Sequence, residues 1–141
     1  TALRGNMTVF DLEELELAYA PPYSSAKDPV NIAGMIAANV VRGDAHISHW
    51  EELGKKKIFM LDVRDPPEYK KGHVDRAVNI PLNDLRQRMA EVPKDQEIWA
   101  YCFVGQRSYY ASRALSQYGY DIKNLSGGYK TFTLRNGPDS D

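Results

Sequence analysis

The sequence predicts an α/β fold: a central, mainly parallel sheet flanked by helices, with an N-terminal arm containing one helix. Three observations carry this. Continuous apolar runs at 58–61 and 98–101 read as short strands buried on both faces, and Ile122–Leu125 reads as a third strand. Segments with helical spacing of apolar residues separate them. Strand alternating with helix implies parallel pairing. The 141 residues, 43% hydrophobic and 26% charged, suit one compact domain plus an arm, with enough apolar content to bury a core. With 18 basic against 19 acidic side chains the net charge is −1, which gives no reason to expect nucleic acid or an anionic membrane as a partner.

The elements follow in order. Val9, Leu12, Leu15 and Leu17 alternate with acidic residues and read as a short strand or turn. Pro21 and Pro22 forbid helix interior and central strand around Tyr19–Tyr23. Asp28 and Pro29 are an N-cap and first helical residue. Val30, Ala33, Ile36, Ala37 and Val40 then line one face, with Ile32 and Met35 outside the stripe, so this helix seeks a partner on more than one side. Gly43 ends it. The apolar stretch 32–41 contains Asn39 and is about half the length of a membrane span.

From residue 44 the pattern becomes regular. Ser48-His49-Trp50-Glu51 reads as a capping box opening a helix through Leu53. The strand at 58–61 runs into Asp62-Val63-Arg64-Asp65. Pro66-Pro67-Glu68-Tyr69 begins a brief helix that Gly72 stops. Val78-Asn79-Ile80 is extended before Pro81. Leu82, Leu85, Met89 and Val92 predict an amphipathic helix ended by Pro93. The strand at 98–101 delivers Cys102. Residues 107–118 form a helix with Ala111, Ala114, Leu115 and Tyr118 on one face and Gly119 as its stop. After the strand at 122–125 come a Ser126-Gly127-Gly128 turn and a last helix over 129–134.

The chemistry is concentrated in the loop Tyr101-Cys102-Phe103-Val104-Gly105-Gln106-Arg107-Ser108, which joins a strand end to a helix start. Ligands of open parallel sheets bind beyond the carboxyl ends of strands. A helix N-terminus offers unpaired N–H groups and partial positive charge. If the loop curls back, its amides converge on the sulfur and favour thiolate. Gly105 permits the curl and Arg107 adds a cation that forks onto an anion. The loop offers no obvious general base, so the chemistry must suit a ready-made thiolate. The competing interpretation, a small buried hydrophobe at a strand end, is disfavoured by these neighbours.

Residues 44–136 resemble a single rhodanese (sulfurtransferase) domain. The matching pieces are Leu61-Asp62-Val63-Arg64, Glu68-Tyr69-x-x-Gly72-His73-Val74, Ala77-Val78-Asn79-Ile80-Pro81, the Cys102–Arg107 loop and Leu125-Ser126-Gly127-Gly128-Tyr129. The resemblance implies a persulfide on Cys102, formed from a small sulfane-sulfur donor and passed to a thiol acceptor. It makes Cys102 the nucleophile and the backbone of Phe103, Val104, Gly105, Gln106 and Arg107 the anion cradle. Arg107 would bind substrate or brace the loop; Asp62 and Arg64 would brace or flank it. Four residues separate Cys102 from Arg107, where related cysteine-dependent phosphatases have five. That shorter ring suits one sulfur better than a phosphate. A phosphatase or arsenate reductase is therefore a weaker alternative, and a non-catalytic interaction module is the other. Phe103 stands where thiosulfate-using members often have a basic residue, which favours a less charged persulfide. Asp75-Arg76 stands where Pro-Gly is frequent.

Residues 15–43, especially Leu17 through Asn31, resemble the C-terminal end of the dimerisation domain in flavin-dependent disulfide oxidoreductases of the coenzyme A-disulfide reductase type. Some of those enzymes carry a C-terminal rhodanese domain. The expected organisation is thus a reductase tail plus linker over 1–43, a rhodanese domain over 44–136 and a disordered tail over 137–141. The alternative for the arm is a linker or a helix packed on its own domain. The resemblance allows a homodimer through the arm, with Tyr19 or Tyr23 approaching the partner's redox cysteine in a full-length enzyme. No G-x-G-x-x-G occurs, so FAD and NAD(P)H are expected only in an upstream reductase domain. The start at Thr1 fits a piece of a longer chain; no signal peptide is expected, and the single cysteine fits a reducing cytoplasm. His46 and His49 lack metal-ligand company and read as solvated or structural, and no metal is expected. His73 reads as a hydrogen-bonded structural histidine, Tyr109 and Tyr110 as core packing, and Lys55-Lys56-Lys57 as a solvated turn.

Overall fold

The computed structural model describes residues 2–16, 28–54 and 57–137. Tyr19, Tyr23, the two arm prolines, Lys55, Lys56 and all but the first residue of the expected C-terminal tail lie outside them. The chain divides into two compact units, Thr1–Asp44 and Ala45–Asp141.

In the first unit, helix α1 spans Val9–Glu14 and α2 spans Pro29–Val41. The strand or turn expected from Val9 onward is therefore corrected to a helix over 9–14; Leu17 lies outside the described residues. Thr8 and Asp11 decide it: the Asp11 N–H donates to Thr8 Oγ1 (3.2 Å), and the Thr8 N–H donates to the Asp11 carboxylate (2.6 Å). This reciprocal cap satisfies two of the helix's otherwise orphaned donors. Asp28 and Pro29 open α2 as expected. Its buried residues, however, are Asn31, Gly34 and Ala38 rather than the apolar stripe. Val30, Ile36 and Val40 are 44%, 54% and 41% exposed. Close approach selects the small face, and Asn31 Nδ2 donates to the Leu12 and Leu15 carbonyls (3.3 and 2.8 Å) that α1 leaves unpaired at its C-terminal end.

In the second unit, strands β1 (Ile47–Ser48), β2 (Phe59–Asp62), β3 (Val78–Asn79), β4 (Ile98–Tyr101) and β5 (Ile122–Leu125) form one sheet in the order β1-β5-β4-β2-β3. Every pairing is parallel. Helices α3 (Pro66–Lys70), α4 (Gln106–Ser116) and α5 (Gly128–Asn136) complete it. Each residue of β4 is buried. Ile98, Ala100 and Cys102 join one core cluster with Leu61, Ala111 and Leu115; Trp99 and Tyr101 join another with Trp50, Met60 and Leu125. Both faces of the sheet's centre are covered, which is why β2 and β4 read as apolar runs.

The order places a switch point between β2 and β4. After β2 the chain moves outward to β3; after β4 it moves to β5 on the other side. The loops leaving these neighbours diverge and open a crevice at their carboxyl ends. Register puts Asp62 opposite Tyr101 there, so Cys102 leaves the sheet beside Val63, one residue before Arg64.

Three local expectations need correction. Ser48 lies in β1, fully buried, and His49 is the N-cap of a 3-10 turn over Trp50–Glu52, its N–H donating to the Glu52 carboxylate (3.1 Å). The helix expected over 82–92 is a series of turns with one 3-10 turn, Met89–Glu91. Its apolar periodicity still seats Leu85 and Val92 in the core. But the Leu82 N–H is drawn to the Val63 carbonyl (3.2 Å), and the Met89 carbonyl accepts from the Tyr120 hydroxyl (3.0 Å), so long-range bonds displace the helical ladder. Tyr110 and Tyr118 are 52% and 58% exposed, so neither packs in the core; α4 buries Ser108 and Ser112 beside Ala111 and Leu115 instead.

Candidate functional site

Cys102 follows β4, and its sulfur meets the start of α4. The Gly105 N–H donates to Sγ (3.1 Å), and the Ser108 hydroxyl lies 3.6 Å from it. The residue as a whole is 1% exposed.

Two sets of bonds shape this curl. On the outer side, the Cys102 carbonyl accepts from the Tyr129 N–H (2.8 Å) and the Phe103 carbonyl from the Lys130 N–H (2.9 Å). A trans peptide points its C=O and N–H in opposite directions. Holding the carbonyls of 102 and 103 on the N-terminal amides of α5 therefore turns the N–H groups of Phe103 and Val104 away from α5. On the inner side, the Gly105 carbonyl accepts from the Tyr109 N–H (3.0 Å) and Asn124 Nδ2 (3.1 Å), and the Ser108 hydroxyl, whose single proton serves either this oxygen or the Cys102 sulfur, lies 3.1 Å away. Gly105 adopts φ +107°, the left-handed region that ends the curl and starts α4.

Gly128 makes the close approach of α5 feasible. A Cβ built there would lie 2.5 Å from the Cys102 oxygen and 2.7 Å from the Phe103 oxygen, and φ is +57°. No other residue type fits without moving the cradle.

The sulfur's surroundings pull in two directions. Burial, the largest single influence, disfavours the thiolate. The Ser108 amide and hydroxyl, with the Gly105 and Val104 amides, favour it and together prevail, so the thiol is more acidic than an ordinary cysteine.

Arg107 is the one charged side chain between Cys102 and Ser108. Its fork closes on Glu68 of α3 (2.6 and 2.8 Å), with Asp65 at 3.6 Å. The hydrogen bond to Glu68 holds the guanidinium firmly charged, and the same bond keeps the Glu68 carboxylate below the usual range. Arg107 thus spans the crevice between the loops that leave β4 and β2.

Asp62 and Arg64 form a buried pair beside the loop. Arg64 Nε donates to Asp62 Oδ1 (3.0 Å) and Nη2 to Oδ2 (2.6 Å), and Nη2 also reaches the Gly72 carbonyl (2.8 Å). Burial opposes the Arg64 charge, but the bond and charge of Asp62 outweigh it. The guanidinium lies 4.0 Å from the centre of the Tyr129 ring, and Tyr129 is the residue whose N–H holds Cys102. Arg64 therefore reaches the Cys102 loop through Tyr129. Burial, then the Asp62 charge, pushes the Tyr101 hydroxyl far above the ordinary phenol value; that hydroxyl accepts from the Val74 N–H (3.1 Å).

The expected residues thus come together in one place. Phe103, Val104 and Gln106 are exposed at the rim, the first two 47% and 55%. Sequence reasoning missed four contributors: Ser108, Glu68, Asn124 and Tyr129. Ser108 lies six residues after Cys102, where a first-turn serine faces back to the loop. Glu68 and Tyr129 sit in quoted motifs whose contacts only the fold reveals. Nothing in the sequence marks Asn124. His46 and His49 are exposed. Among the described residues no group of His, Cys, Asp and Glu is placed to hold a metal, and no helix is long and apolar enough to cross a membrane.

A thiol cradled by amides at the carboxyl edge of a parallel sheet defines a class, and comparison with known proteins agrees. The rhodanese-like domain model matches residues 47–135, and the chain belongs to that family. Its structure is similar to that of reduced CoADR-RHD from Bacillus anthracis: TM-score 0.88, 46% identity, covering 94% of this chain and 24% of that one. It is also similar to an NAD-dependent persulfide reductase from A. fulgidus: TM-score 0.77, 40% identity, covering 90% of this chain and 23% of that one. Both likenesses extend past the rhodanese unit into the N-terminal arm, and the chain spans about a quarter of either length. A protein of Allochromatium vinosum named "Sulfurtransferase" is 39% identical over 72 residues, 50% of this chain and 67% of that protein.

Proposed function

We propose that the chain is a sulfurtransferase carrying sulfane sulfur as a persulfide on Cys102. The observation that supports this most is the Gly105 N–H at 3.1 Å from Sγ, inside a ring that lowers the thiol's pKa without a proton shuttle. In the forward step the thiolate attacks the terminal sulfur of a donor R–S–SH. A Cys102 S–S bond forms, the donor's S–S bond breaks, and R–S⁻ leaves as a thiolate. Zero-valent sulfur is moved without net oxidation or reduction. The charge leaves with R–S⁻, and the outer sulfur keeps the donor's proton; once that proton is lost to water, the persulfide anion lies within reach of the loop amides and the Ser108 hydroxyl, which stabilise it as they did the thiolate. An acceptor thiolate then attacks the outer sulfur and Cys102 leaves as thiolate.

The apolar rim of Phe103 and Val104 favours an organic persulfide, such as that of coenzyme A, or a polysulfide, over thiosulfate. In a longer protein the first unit would be the tail of a flavin-dependent coenzyme A-disulfide or persulfide reductase. FAD and NAD(P)H would bind there and not in this chain. The arm would join two subunits, with Tyr19 or Tyr23 near the partner's redox cysteine. A reducing cytoplasm suits the free thiol.

Mass spectrometry after incubation with a sulfane donor is the test. The expected result is a gain of one sulfur atom that Cys102→Ser abolishes. No gain from any donor would support an interaction module. Hydrolysis of an aryl phosphate, lost in Cys102→Ser, would support a phosphatase; the occupied fork of Arg107 argues against it.

A further inference from the structure

Arg107 would be the natural counter-ion for an anionic donor, yet its two-toothed face is taken by this chain's own Glu68 at 2.6 and 2.8 Å. Asp65 lies 3.6 Å from the same guanidinium. One cation therefore faces two carboxylates at the crevice, before the Cys102 thiolate is added. We propose that Glu68 is a specificity-determining residue: by neutralising Arg107 it sets the donor class to sulfane compounds that carry little negative charge beside the reacting sulfur. This deepens the sulfurtransferase reading and rests on it.

The argument is electrostatic and geometric. A fork bonded at both teeth to a carboxylate has no free pair of donors for a sulfonate. The remaining charge of the cluster repels a dianion at short range, and because Arg107 and Glu68 are 31% and 34% exposed this repulsion is sensitive to salt. The neighbouring surface agrees, since Phe103 and Val104 expose apolar area at the rim. Glu68 also fixes geometry: its carboxylate accepts from the Asp65 N–H (3.2 Å), which places it at the first turn of α3, aimed across the crevice. Charge and position are thus separable. Glutamine keeps the shape and one acceptor oxygen, whereas aspartate keeps the charge.

The test compares two donors with the same reacting sulfur and similar leaving groups: thiosulfate, a dianion, and methanethiosulfonate, a monoanion. Single-turnover formation of the Cys102 persulfide is followed by mass spectrometry in the wild type, Glu68→Gln and Glu68→Asp. In Glu68→Gln the rate with thiosulfate relative to methanethiosulfonate should rise on the order of tenfold. The gain should appear in half-saturation rather than in the maximal rate, and should shrink at high salt. Glu68→Asp should keep the wild-type ratio. The proposal is overturned if Glu68→Gln forms persulfide with an unchanged ratio, or if it loses both donors equally, which would mean that Glu68 only holds the loop. If the wild type gains sulfur from neither donor and also from no organic persulfide, the sulfurtransferase reading itself fails and takes this inference with it.

Discussion

Replacing Gly128 with alanine should dismantle the sulfur cradle from behind. The new Cβ would lie 2.5 Å from the Cys102 oxygen, 2.7 Å from the Phe103 oxygen and 2.8 Å from the Phe103 carbonyl carbon. These are backbone atoms, so no side chain can swing aside. Relief must lift the loop off α5 and lengthen the bonds from the Tyr129 and Lys130 N–H groups, now 2.8 and 2.9 Å. Each lost bond costs about 0.5–1.5 kcal/mol net, and an unpaired buried group adds more. Alanine at φ +57° adds about 1–2 kcal/mol. The sum is about 3–5 kcal/mol, a large share of the about 5–15 kcal/mol that stabilises a domain. At about 4–8 °C per kcal/mol for a domain of this size, Tm should fall by about 12 °C or more. Calorimetry reads the fall, and the pH profile of iodoacetamide alkylation reads the cradle: Cys102 should move toward an ordinary thiol. Gly119→Ala is the control, because its φ is +78° with nothing within 4 Å of the added Cβ. It should show the conformational penalty alone. Equal, small losses of Tm in both variants, with an unchanged alkylation profile in Gly128→Ala, would refute the reasoning.

Further expectations concern single contacts. Ser108→Ala removes the hydroxyl 3.6 Å from Sγ with little change of volume, so the Cys102 pKa should rise and alkylation should slow below the ordinary thiol value. Because the folded pKa is depressed, this group contributes stability above the ordinary thiol value and loses it as pH falls through the folded pKa. Denaturant titrations at several pH values should find a smaller pH-dependent increment in the variant. Arg76→Gly relieves a non-glycine residue at φ +60°, and the exposed contact with Asp75 at 3.5 Å contributes almost nothing. Less the entropy cost of glycine, Tm should rise by a few degrees. Gly34→Ala would place a Cβ 2.5 Å from the Glu13 amide nitrogen, so hydrogen exchange in α1 should accelerate; unchanged protection would contradict the packing of α1 on α2.

Much of the fold was legible because buried parallel strands leave a strong mark. β2 and β4 appear as apolar runs, since both faces of each must be covered, while β5 is marked only by Ile122 and Leu125 at its ends. Two-residue strands such as β1 leave none: Ser48 looked like a helix cap because a serine before an acidic turn serves either purpose. The segment 82–92 misled in another way. Its spacing correctly marked which side chains enter the core, but backbone bonds to Val63 and Tyr120 decided its conformation. In α2 the apolar stripe was real, yet the helix buries its small face, because the distance between backbones is set by Gly34 and Ala38 rather than by hydrophobicity.

What the linear order of residues determined was the candidate thiol and its immediate loop. A cysteine at a strand end, four residues before an arginine, with a glycine to permit the curl, is a local arrangement that needs no distant partner to be recognised. Tertiary structure alone decided how that loop is held and what charge surrounds it. Tyr129 and Lys130 clamp its carbonyls, Ser108 reaches its sulfur, and Glu68 occupies its arginine from 39 positions away. Those contacts arise because the strand order reverses between the parallel neighbours β2 and β4, bringing together chain segments that hydrophobic periodicity cannot pair: register and crossover are properties of the whole packed sheet, not of any stretch within it.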